Sequence, residues 1–127
     1  MYFWKSTLWL GIIIYLSFAP KSNFDADLYF FPHQDKLIHI FMYALLALLI
    51  MTDFSKNHSY NKKTISIILF STILLSIVIE YLQPVLSNRT FDIYDIYANG
   101  IGIVCGIASS FFFKRRSICR ENNEIRT

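Results

Sequence analysis

Apolar residues in this chain fall into four long blocks, roughly residues 7–19, 37–52, 64–82 and 96–113, parted by short polar stretches. About 20 apolar residues, rising 1.5 Å each along a helix, cross the hydrocarbon of a bilayer. Inside lipid only helices and closed barrels satisfy their own backbone, and blocks of this length read as helices. The expected fold class is therefore all-α: a four-helix antiparallel transmembrane bundle within one domain, residues 1–127. A soluble domain of 127 residues would spread its apolar side chains around one core, whereas here 54% of residues are hydrophobic, only 17% are charged, and they are segregated. The first two blocks are short, so their polar ends must supply part of the span. The opening residues also suit a secretory signal. Pro20 would fall just past the cleavage point, however, so an uncleaved first helix is the expectation.

Basic residues set the orientation. Lys5, Lys56, Lys62, Lys63, Lys114, Arg115, Arg116, Arg120 and Arg126 fall on one side, against Lys21, Lys36 and Arg89 on the other. Nine against three accounts for all 12. Both termini are expected in the cytoplasm, with the first and third loops outside. The net charge of +3 is explained by the basic tail as a stop-transfer anchor at anionic headgroups, and no nucleic-acid partner is expected. Cys105 lies mid-helix and Cys119 in the tail, so neither a disulfide nor a metal role is expected. The first loop carries Leu28, Tyr29, Phe30 and Phe31, which suit the membrane interface.

Charged groups at membrane depth are expensive and mark function. Asp35, His39 and Tyr43 recur every four residues and share one face of the second helix, with Lys36 beside them. Glu80 and Gln83 share a face near the outer end of the third helix, which Pro84 is expected to terminate. An ionised Glu80 would need a partner, for which His39, Lys36 and Arg89 are available. After Arg89 the fourth helix carries Asp92, Asp95 and Asn99, then Gly102 and Gly106, along a single stripe. One of the two aspartates serves as a helix cap, which leaves the other unexplained. The glycine pair lets a helix approach closely and also offers an oligomer contact. Polar faces do not point at lipid, so the three rows are expected to converge in one outward-opening pocket.

These residues, D-K-x-x-H-x-x-x-Y, then E-x-x-Q, then R-x-x-D-x-x-D-x-x-x-N-x-x-G-x-x-x-G, resemble the VanZ-like family of small bacterial membrane proteins. The match runs from Asp35 to Gly106, with Asn88 standing where the family often has glycine. The resemblance implies a multi-pass protein of the bacterial plasma (inner) membrane, in a family whose name-giving member is associated with low-level resistance to the glycopeptide teicoplanin.

Three functions fit. The pocket binds or modifies a cell-envelope lipid headgroup, a lipid-linked envelope precursor or a glycopeptide, with Arg89 and Lys36 holding an anion. If it catalyses, His39 and Glu80 form the acid–base pair. Alternatively, Asp35, His39, Glu80, Asp92 and Asp95 ligate a divalent metal, against which Arg89 and Lys36 argue by repulsion, and no metal or other cofactor is expected. In the third, the charges belong to a structural or accessory protein and only hold the bundle together.

Overall fold

A computed structural model describes residues 3–19, 33–55, 61–87 and 89–124. Four helices follow one another: α1 Trp4–Phe18, α2 Gln34–Ser55, α3 Lys62–Leu86 and α4 Ile93–Glu124. No strand occurs among the described residues. Three helices are long and apolar enough to cross a membrane, over Gln34–Phe54, Lys62–Leu86 and Ile93–Lys114, and α1 is a shorter apolar helix. The aromatic segment of the first loop, Asn88 and the side chain of Cys119 lie outside the described residues. Cys105 is exposed on α4 as a free thiol.

Every helix begins earlier than its apolar block, because polar residues make good first turns. Asn61 caps α3 by accepting the Thr64 N–H at 2.7 Å. His33, at φ 67°, turns the backbone into α2, a conformation that histidine tolerates better than bulky apolar residues. One expectation is corrected at the other end of α3. Pro84 lies inside the helix, which runs on to Leu86. The proline has no N–H for the Glu80 carbonyl four residues back, but it clashes too little to break so short a remainder. The helix stops instead at Ser87, whose N–H and hydroxyl both donate to the Gln83 carbonyl, at 2.9 and 2.8 Å.

Contacts fix the directions. Ser6, early in α1, meets Asp53, late in α2. Lys36, early in α2, meets Asp92 and Asp95, at the start of α4. Glu80, late in α3, meets Asp92. The helices therefore alternate up and down, which makes α2 and α4 parallel to each other. Those two share the largest interface. Gly102 and Gly106 make it possible, since a Cβ on either would drive into the α2 backbone at Ile40 or Ala44. That face is filled within the chain, so an oligomer would need another surface.

The core contains Ile13, Met42, Tyr43, Leu46, Met51, Ile79 and Ile103. Around it the usual sorting is reversed. Phe41, Ile67, Phe70, Leu74, Ile101 and Val104 point outward, while His39, Asp53, Glu80, Gln83, Asp95 and Asn99 are buried. An apolar exterior over a polar interior suits lipid as the surrounding medium.

Candidate functional site

The polar site lies where α2 and α4 begin and α3 ends. Asp92 sits one residue before α4, and its Oδ1 accepts the Tyr94 N–H at 2.8 Å, the geometry of a helix N-cap. Its Oδ2 accepts from the Lys36 ammonium at 2.7 Å, and Asp95 Oδ1 accepts from the same ammonium at 2.9 Å. The lysine hydrogen bond first, and the Tyr94 N–H second, hold the Asp92 carboxyl below its ordinary 3.8. One aspartate caps the helix and both grip Lys36, which accounts for the pair. The lysine ammonium takes the position between Asp92 and Asp95 that a metal ion bound by both would need.

One turn along α2, His39 Nδ1 is 3.0 Å from Asn99 Oδ1, where the ring N–H donates to the amide oxygen. Its other nitrogen lies 3.8 Å from Asp95 Oδ2. The Lys36 clamp and the His39–Asn99 bond thus tie α2 to α4 twice, both above the glycine contact. Glu80 Oε1 accepts the Asp92 N–H at 3.3 Å and so joins α3 to the same corner. That backbone group is its partner; neither His39, Lys36 nor Arg89 pairs with it. No hydrogen bond or ion pair links His39 to Glu80 among the described residues.

Beside this knot is a cavity of about 70 Å³, lined by Asp35, His39, Gln83, Arg89, Thr90, Asp92 and Asp95. Its walls carry groups that nothing among the described residues satisfies. Gln83 is 2% exposed, and its amide nitrogen has no partner. The Arg89 Nε is buried and unpartnered as well, and no carboxylate lies within ion-pair distance of Arg89 among the described residues. Asp35 approaches only Lys36, at 3.9 Å, with its side chain 47% exposed. Deeper in the bundle, Glu80 Oε2, the Tyr43 hydroxyl and the Ser17 hydroxyl are buried without partners. Buried polar groups are nearly always hydrogen-bonded, so such a concentration calls for water or a ligand.

Two polar features away from this end escape the motif reading. Asp53 is buried near the end of α2, and its Oδ2 accepts the Ser6 N–H at 3.4 Å and the Ser6 hydroxyl at 3.2 Å. The Trp9 indole N–H donates to the Met42 carbonyl at 2.9 Å. The signal for Asp53 was its place: a carboxylate at a helix C-terminus opposes the dipole unless another positive end, here the start of α1, faces it.

A family model described as VanZ/LLP1 matches residues 3–114. An uncharacterized protein of Schizosaccharomyces pombe is 30% identical over 109 residues, which are 86% of this chain and 62% of that protein. The chain thus spans less than two thirds of the length of the curated relative it matches. No solved structure matches the chain.

Proposed function

The chain belongs to the VanZ/LLP1 family of membrane proteins, and on that premise we propose that its cavity binds the oxyanionic headgroup of a membrane lipid or lipid-linked envelope precursor from the non-cytoplasmic side. The observation that carries this reading is the pair of unpartnered buried donors, Gln83 Nε2 and Arg89 Nε, on residues lining one cavity. Donors held ready in a low-dielectric recess suit an acceptor with several oxygens and a negative charge, as a phosphate has. Lys36 does not share this task, because two carboxylates already hold it.

Size separates the ligands. A cavity of about 70 Å³ takes a few waters, or the leading oxygens of one phosphate. A whole glycopeptide touches only the mouth, which favours the headgroup over teicoplanin-type ligands. Binding is favoured over modification, since the expected acid–base pair His39 and Glu80 is not joined. The relative from a yeast leaves the bacterial plasma membrane as one proposed setting for a fold of wider occurrence.

A structural reading has its own support. Lys36, His39, Asp92, Asp95 and Asn99 bond to one another and hold α2 on α4, so for these five the bundle-holding role suffices. The division is testable. Lipids that copurify in mild detergent, identified by mass spectrometry, are expected to include a phosphate-bearing species that Arg89→Ala and Gln83→Ala both deplete. Equal lipid in all three preparations would end the headgroup reading.

A further inference from the structure

We propose that the headgroup is zwitterionic, a phosphodiester carrying a primary ammonium as in an aminophospholipid, with Arg89 and Gln83 on the phosphate and Asp35 on the ammonium. This rests on the headgroup reading and narrows it. Once Lys36 is assigned to Asp92 and Asp95, one cation and one anion on the cavity wall are left without a hydrogen-bonded partner among the described residues: Arg89 and Asp35. Asp35 stands 3.9 Å from Lys36, beyond hydrogen-bond reach, with its side chain 47% exposed. A carboxylate beside an already satisfied lysine is free to accept from an incoming ammonium.

The charge balance points the same way. Among the described residues the wall carries Asp35, Asp92 and Asp95 against Arg89. Even with Lys36, which grips two of the aspartates, the carboxylates outnumber the cations, so the surroundings of Arg89 are net negative. A purely anionic headgroup would gain Arg89 and meet repulsion from the rest, whereas a ligand with its own cation turns the surplus carboxylate into a partner. Gln83, nine-tenths buried with an unpartnered amide nitrogen, shows that an acceptor group is wanted at depth, so the arrangement is more than a cluster of acids. The same end of the bundle exposes Tyr81, Tyr94 and Tyr97, rings suited to the level where headgroups lie.

The test uses the full chain in detergent, titrated with short-chain phosphatidylethanolamine, phosphatidylcholine and phosphatidylglycerol of matched acyl chains, and with soluble phosphoethanolamine, binding being read by thermal shift. Phosphatidylethanolamine is expected to bind about tenfold or more tighter than phosphatidylglycerol, as one charged hydrogen bond gained implies. Phosphatidylcholine, which has no N–H to donate, should fall with phosphatidylglycerol, and the soluble ester should bind more weakly than its lipid. Asp35→Asn should erase the preference, Asp35→Glu keep it, and Arg89→Gln weaken every lipid. Phosphatidylglycerol or phosphatidylcholine binding as tightly as phosphatidylethanolamine would overturn the zwitterion and leave the headgroup reading standing. The soluble ester binding as well as the lipid would overturn the lipid source. No binding by any of the four would sink both.

Discussion

Lys36 and Arg89 look alike in the sequence, two cations beside a row of acids, yet the fold gives them opposite work. Lys36 is gripped by Asp92 and Asp95, whereas Arg89 has no carboxylate partner among the described residues. Removing Lys36 leaves two carboxylates facing each other. Lys36→Met is therefore expected to destabilise the protein by about 1–3 kcal/mol, less than a fully buried pair would because water reaches the clamp. Arg89→Gln should shift stability by no more than about 0.5 kcal/mol, since no ion pair is lost. Thermal unfolding in detergent separates the two, and equal losses would mean that Arg89 too is structural. Asp92 adds a pH dependence whose sign is fixed. Its folded carboxyl is held below the ordinary 3.8, so the stability it contributes is complete above that value and lost as pH falls through the lower folded one. Acid unfolding that begins below about pH 4 should be blunted in Asp92→Asn, which carries no titrating group there.

At the scale of the elements, the α2–α4 seam sets the register of the site. Gly102 and Gly106 let the backbones meet, and that approach brings Lys36 within reach of α4. Gly102→Ala puts a methyl group against the Ile40 carbonyl, a rigid target that cannot rotate aside. A loss of about 1–3 kcal/mol is expected. Gly100→Ala is the control: nothing lies within 4 Å of its added methyl, and better helix propensity should stabilise by up to about 1 kcal/mol. Losses of similar size at both positions would deny that the seam is tight. The four helices were legible because segregated apolar blocks have few solutions in a bilayer. The polar rows were legible too, since their spacings of three and four place side chains on one face. What escaped depended on three dimensions. Spacing put Lys36 near the acids but could not show it bonded to two of them, and Pro84 read as an end because propensity ignores how little helix follows. Asp53 was passed over because its partner Ser6 stands 47 residues away. Asp53→Ala should remove a cap worth about 1 kcal/mol, and hydrogen exchange should rise across Trp4–Phe18 while α2 to α4 hold.

For the whole molecule, two independent asymmetries bear on which way the bundle faces. The first is the count of basic residues, nine on the side of the termini and three on the other, from which cytoplasmic termini are expected. The second is the distribution of buried polarity. The end with the cavity gathers Arg89, Gln83 and Asp35, while the opposite end buries Asp53 against a helix start and has only an apolar groove along α1, lined by Trp4, Leu8 and Tyr15 among others. If the lysines and arginines rule, the cavity opens away from the cytoplasm, and Thr90, exposed on its rim, is reachable from outside. A chain with Cys105→Ala and Cys119→Ser carrying Thr90→Cys should then react with a membrane-impermeant maleimide on intact cells. A cysteine at Lys62, exposed at the start of α3, should react only after the membrane is opened. The reverse pattern would turn the cavity toward the cytoplasm and remove the non-cytoplasmic headgroup as its ligand, whatever the bonding within the site.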